Sequence, residues 1–320
     1  TTTVNVGVDF ALFRHRLSGT IEYYNKYSVD LLAAMNGSPT QRFGYTTLMT
    51  NNGKMVNRGV EITLSGEIIR QKDFSWNASL LYAFNRNKVK HISVQPSLWD
   101  SRISMPTSYP MVGKPLYGIY AYKWAGLNEN GDPQVYDAEN NVTSGPARDY
   151  HALVYCGTTV PIHNASLTNV LRYKGFEFSA MLILDAGHKL RSSNIPSINM
   201  SNGRITSTAK GIVDRWTQPG DVTDVPRLLF SNDTENFNTH RTELYRYSDL
   251  FVYDASNIRL SNISLAYRVP AHWCKKISLS GARLQFNVEN VATFAFDSKA
   301  NYDLGGKVKP NYVWGLYLNF

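Results

Sequence analysis

The chain has 320 residues, 43% of them hydrophobic and 12% aromatic, which is enough apolar surface for a sizeable fold and excludes a disordered or fibrous protein. No run approaches the roughly 20 apolar residues of a spanning helix; a β-barrel is not excluded by this, because its strands need only about 9–11 residues each and leave the mean hydropathy, here -0.30, unremarkable. The 33 basic against 25 acidic residues give a formal charge of +8, but the charges are dispersed along the sequence and no nucleic-acid motif accompanies them, so nucleic acid is not an expected partner.

Thr1 is not an initiator Met and no signal segment follows it, so the chain is expected to begin in mid-protein, already inside a strand. Val4, Val6, Val8, Phe10 and Leu12 alternate with polar or small residues, a period of two that predicts a strand with one apolar face. After a turn at 14–16 the pattern resumes at Leu17, Gly19, Ile21 and Tyr23, which makes a hairpin. A second hairpin of the same design joins Val60, Ile62 and Leu64 to Phe74, Trp76, Leu80 and Tyr82 through a turn at 71–73. A less regular strand is expected at Leu116 to Ala125. Further strands follow at Leu167 to Tyr173, Phe176 to Leu184, Ile258 to Val269 and Ala282 to Val288, and the chain closes on Tyr312, Trp314, Leu316, Leu318 and Phe320. About ten strands are expected, antiparallel and all-β.

Three features favour a transmembrane barrel over a soluble sandwich. Tight turns at 14–16, 71–73 and 174–175 alternate with long polar stretches at 28–54, 89–115, 187–250 and 292–310, the asymmetry of short periplasmic turns and long external loops. Aromatic residues gather near strand ends, as at Tyr23-Tyr24, Tyr82 with Phe84, Tyr122 with Trp124, Tyr267 and Trp273, in the manner of interfacial girdles. The closing strand Tyr312, Trp314, Leu316, Leu318, Phe320 looks like the insertion signal read by the outer-membrane assembly machinery.

Several segments then become specific. They include NVGVDFALFRHRLSGTIEYYNKYSVDLL at 5–32, NNGKMVNRGVEITLSG at 51–66, GLNENGDPQVYD at 126–137, DRWTQPGDVTDVPRL at 214–228, YDASNIRLSNISLAYRVP at 253–270 and YVWGLYLNF at 312–320. Together, across essentially the whole chain, they resemble the C-terminal barrel of the SusC/RagA-type TonB-dependent transporters of the Bacteroidetes. The resemblance implies that residues 1–320 are the C-terminal part of a 22-stranded barrel with long extracellular loops, and that a plug, a TonB box and the first barrel strands lie upstream. It implies an outer-membrane importer in a Gram-negative bacterium. The implied partners are a SusD-like lipoprotein capping the barrel, TonB acting through the upstream region, the remaining barrel and plug segments, and outer-membrane lipid. Glycans or oligosaccharides are the expected cargo, with peptides as the alternative. From another class, the chain would be a surface glycan-binding β protein with no transport role, or a complete ten-stranded barrel in which the Val4 and Phe320 strands pair.

No HExxH, GxSxG, Walker or CxxC pattern is present, so no enzyme activity, cofactor or metal is expected. Cys156 and Cys274 read as two buried or free thiols, and His15 and His272 as turn residues. Asn128 to Asp132 superficially matches a calcium loop but lacks its bidentate Glu, so a turn is expected; Asp221 and Asp224 read as solvated loop residues. Candidate cargo contacts are the loop aromatics Phe43, Tyr45, Trp99, Tyr109, Trp216 and Phe237, which could stack on sugar rings, and the loop cations Arg42, Arg102 and Arg204, which would favour acidic cargo.

Overall fold

The computed structural model describes residues 1–36, 47–94, 101–145, 149–200, 209–230, 240–305 and 309–320. Nine strands form one antiparallel sheet in chain order: β1 (Thr2–Leu12), β2 (Leu17–Asn36), β3 (Thr47–Arg70), β4 (Phe74–His91), β5 (His163–Tyr173), β6 (Phe176–Ala186), β7 (Asn257–Arg268), β8 (Gly281–Ala295) and β9 (Asn311–Asn319). Each inner strand pairs with its predecessor and its successor, and β1 and β9 pair on one side only.

The period-two pattern explains the two faces. Cross-strand partners share a face, and one row runs Ile69, Trp76, Leu171, Phe178, Leu265, Phe286, Trp314 across seven strands with no polar residue. A parallel row runs Val8, Ile21, Ile62, Tyr82, Ala165, Leu184, Ile258, Phe294. None of the described residues packs over this face: Val6, Val8 and Leu316 are each about 61–62% exposed and Trp314 is 79% exposed. A surface this apolar and continuous requires a non-aqueous neighbour, far exceeding what soluble monomers leave exposed. Near the short turns the outer row is aromatic, Phe74, Tyr173, Phe176 and Tyr267 in succession, with the Phe176 and Tyr267 rings 4.5 Å apart.

The opposite face is polar. One of its rows reads Ala11, Ser18, Ser65, Ser79, Thr168, and another reads Gly7, Glu22, Glu61, Ala83, Asn164, Asp185, Asn257. Tyr24 lies on this face opposite Gly59, where an added Cβ would stand 2.5 Å from the Tyr24 ring carbon Cζ and 2.5 Å from the Phe84 carbonyl oxygen. The Gly59→Val variant is therefore expected to destabilise the wall by about 1–3 kcal/mol, the usual cost of overpacking. The check is the temperature at which the purified barrel loses its compact electrophoretic form; an unchanged temperature would refute the packing argument.

Two expectations need correction. Among the described residues the wall has nine strands rather than about ten, because the Leu116 to Ala125 segment leaves the barrel sheet: Gly118–Tyr122 pairs with Leu153–Thr158, and Trp124–Leu127 opens a separate three-stranded sheet. Tyr122 accordingly has no lipid contact and is fully buried in that loop structure. The expected loop at 28–54 is also mostly strand, since β2 continues to Asn36 and β3 starts at Thr47. Register shifts around Leu31, next to Asp30 with a φ of 57°, interrupt the alternation there and hide the strand from a period-two reading. The 24 residues of β3 span about 80 Å at strand rise, roughly three times the apolar band of a membrane barrel, so the β2–β3 hairpin projects well beyond it.

Candidate functional site

Two regions can touch a solute: the polar face of the wall, and the long connections gathered at one end of it. On the wall, two groups of charged side chains pair across strands, while Glu22 and Glu61 of the same face make no ion pair among the described residues. Arg259 contacts Asp185 at 3.0 Å, and Glu177 accepts from Arg172 at 2.8 Å and Arg283 at 3.2 Å. Between these levels small hydroxyls dominate; Ser65 and Ser79 lie 3.2 Å apart and Thr20 donates to Asp9 at 2.6 Å.

The connections fold around their own core rather than lying as separate loops. Tyr120, Tyr122, Val135, Ala152, Leu153 and Leu244 form one buried cluster, with Ile198, Tyr245 and Phe251 forming a second. These residues come from the β4–β5 connection and the β6–β7 connection, so the two are tied together. Polar groups fasten the same joint. Asp132 receives Arg227 at 2.8 Å and Arg241 at 3.2 Å, and Arg241, with a side chain only 2% exposed, also donates to the carbonyls of Ile198 and Arg227 and to Asn199 Oδ1. Burial lowers the pKa of Arg241, and Asp132 opposes that shift. Arg191 donates to the Tyr120 carbonyl at 2.7 Å and to the Ser248 carbonyl at 3.2 Å. Trp124 donates its backbone N–H to Asp249 and its indole N–H to Asp224, both at 2.9 Å.

Among the described residues, the clefts on this assembly include two that could admit a solute. One, of about 250 Å³, lies between the top of β2–β3 and residues 107–116, and is lined by Leu31, Met49, Met55, Val89, Ile92 and Leu116 among others. The other, of about 350 Å³, is more polar and includes Ser192, Ser193, Asn199, Thr242 and Arg246.

Of the sequence-derived candidates, Phe43, Tyr45, Trp99, Phe237, Arg42 and Arg204 lie outside the described residues. Arg102 is 7% exposed, with its guanidinium 5.8 Å from the Tyr120 ring centre, and its Nε donates to the backbone carbonyl of half-buried Tyr109 at 3.4 Å. Trp216 sits elsewhere, against Gly131, where a φ of 73° and the indole ring together leave no room for a Cβ. Asn128 Oδ1 accepts from the backbone N–H groups of Asn130 and Asp132, the turn geometry expected of that segment. Asp221 accepts from Thr217 and Gln218, which lowers its pKa. The arginine pair at Asp132 escaped the sequence reading because its partners lie about 100 residues away; the only local signal was an acidic residue inside a turn.

Cys156 and Cys274 are both free. Burial, with Asp249 nearby, pushes the Cys156 thiol up to about 11. Its alkylation at pH 8 is expected to run about two orders of magnitude slower than that of an ordinary thiol, because the thiolate is the nucleophile. Mass spectrometry of iodoacetamide-treated native protein tests this, and labelling as fast as in denatured protein would contradict the burial.

A family model described as TonB dependent receptor-like, beta-barrel, matches residues 1–291. The chain belongs to this receptor barrel family. It is similar to TonB-dependent receptor P3 of Formosa agariphila, at 25% identity over 98% of this chain and 32% of that protein. It is also similar to TonB-dependent receptor SusC of Bacteroides thetaiotaomicron, at 23% identity over 91% of this chain and 28% of SusC. Among solved structures, the RagAB peptide transporter superposes with a TM-score of 0.76 at 21% identity, covering 99% of this chain and 35% of that one, a likeness of fold. The chain thus spans about a third of the length of the receptors it matches.

Proposed function

We propose that this receptor barrel segment is the C-terminal wall, with its extracellular loops, of a TonB-dependent importer in the outer membrane of a Gram-negative bacterium. The observation that carries the reading is the nine-stranded sheet with an uncovered apolar outer face and a polar inner face, standing beneath a folded loop assembly. The unpaired edges of β1 and β9 require further wall strands, since open backbone edges are not viable in lipid. A plug filling the polar lumen, TonB acting through an upstream segment, and a SusD-like lipoprotein over the loops complete the machine. The outer-facing Tyr312, Trp314, Leu316 and Leu318, with Phe320, serve as the signal for membrane insertion.

Glycans or oligosaccharides are the favoured cargo. The hydroxyls, amide and guanidinium of the cleft at Ser192, Ser193, Asn199, Thr242 and Arg246 match a partner rich in hydroxyl groups. Peptide import is the second reading, favoured by the apolar cleft at Leu31, Met55, Val89 and Leu116, which suits an aliphatic side chain. Deletion of the complete receptor from its host, followed by uptake of labelled oligosaccharides and labelled peptides, separates the two. Loss of oligosaccharide uptake, restored by the receptor and abolished without TonB, is expected. Loss of peptide uptake alone selects the second reading, and unchanged uptake of both overturns import.

A further inference from the structure

The surplus charge that looks dispersed in the sequence is gathered by the fold. Segments 12–18, 66–76, 171–179 and 266–284 meet at the short-turn end of the wall and carry ten lysines and arginines against three carboxylates, so this end holds seven of the eight surplus positive charges. Some of these cations face inward and are partly neutralised, as Arg172 and Arg283 are by Glu177. Lys72, Lys174, Lys275 and Lys276 are different: all four are exposed in the turns and make no ion pair among the described residues.

Their level on the wall is defined by the aromatic row Phe74, Tyr173, Phe176, Tyr267, which marks where the apolar face ends. Lys174 lies on the outer side of that boundary, since its ammonium is 5.3 Å from the ring centre of outward-facing Tyr173. In the β7–β8 connection, the helix Ala271–Lys275 presents Trp273, 57% exposed, and Ile277 follows at 68%, both flanking Lys275 and Lys276. Exposed apolar side chains beside exposed lysines, at the end of a lipid-facing surface, have the composition of a headgroup-level anchor.

We infer that this rim binds anionic phospholipid headgroups of the leaflet at the short-turn side, the lysines contacting lipid phosphates while Trp273 and Ile277 enter the acyl boundary. The inference rests on the membrane-barrel reading above. Short turns face the periplasm in such barrels, so the leaflet is the periplasmic one. Each lysine near an anionic surface adds a screened, roughly additive attraction, so four together favour anionic over zwitterionic lipid.

The complete receptor reconstituted in phosphatidylcholine nanodiscs, with or without phosphatidylglycerol, tests this by native mass spectrometry of the lipids it retains. Retention of phosphatidylglycerol over phosphatidylcholine is expected, falling as salt is raised, with the preference reduced about tenfold or more in the K72Q/K174Q/K275Q/K276Q variant. Equal retention of the two lipids, or an undiminished preference in the variant, overturns the inference. If the variant fails to insert, the wild-type salt titration decides, because a preference insensitive to salt is not carried by these lysines. Displacement by inorganic phosphate at matched ionic strength would mark a soluble-anion site and also overturn it. A receptor that enters no bilayer refutes the barrel reading itself, whereas one that enters without lipid preference refutes only the rim.

Discussion

Hydrogen exchange of the loop assembly is expected to accelerate by two orders of magnitude or more in the Asp132→Ala variant, while the amides of β5 and β6 keep their wild-type protection. Asp132 is the carboxylate shared by Arg227 and Arg241, and Arg241 is almost completely enclosed. Removing one partner of a buried pair leaves an uncompensated charge and costs about 3–5 kcal/mol. The remaining acceptors of Arg241, the carbonyls of Ile198 and Arg227 and the amide of Asn199, are neutral and do not replace the lost charge. The loss falls on the joint between two connections, so the reporters are Gly118–Tyr122 and Leu153–Thr158, the paired strands beside it. Asp132→Asn, which keeps the shape and one acceptor, is expected to have a smaller effect. A change below threefold in the alanine variant would show that the arginines find other compensation.

The second large effect separates the two faces of one strand. Leu182 lies in the outer row with Leu80, Leu167 and Leu260, midway between the aromatic row near the short turns and the row of Val60, Phe84 and His163. An arginine there would sit near the middle of the apolar band and cost about 2–4 kcal/mol. Its neighbour Met181 points to the polar face, in register with Thr168 and Asn262, and the same row continues to Glu289. Met181→Arg is therefore expected to be tolerated, while Leu182→Arg sharply lowers the fraction of receptor recovered folded from the outer membrane. Equal yields of the two variants would contradict the assignment of faces.

The wall was legible in the sequence because alternation is a local property. Val4 to Leu12, Leu167 to Tyr173 and Phe176 to Leu184 each show their face within a few residues, and the tight turns at 71–73 and 174–175 fix the pairing between neighbours. Legibility failed where alternation was broken or the partners were remote. Leu31-Leu32-Ala33 runs through register shifts, so an extended strand looked like a loop. Tyr120-Ala121-Tyr122 is buried on both sides and carries no period that separates a wall strand from a loop strand; only the pairing with Leu153–Thr158 distinguishes them. In the candidate site, burial reversed the appearance of Arg102, a loop cation in sequence and an interior group in the structure.

The hydroxyl row at Ser18, Ser65, Ser79 and Thr168 has a mechanical meaning under the import reading. Hydrogen bonds from short neutral side chains are each worth little net, about 1 kcal/mol, and water replaces them at nearly equal strength. A body moving along this stretch exchanges one weak contact for an equivalent one and meets no deep trap, whereas the charged levels at Asp185 with Arg259 and at Glu177 with Arg172 and Arg283 can hold it. Under that reading, this stretch of the inner wall is a low-friction track between two detents, and a pulling force has to be large only at the moments of release.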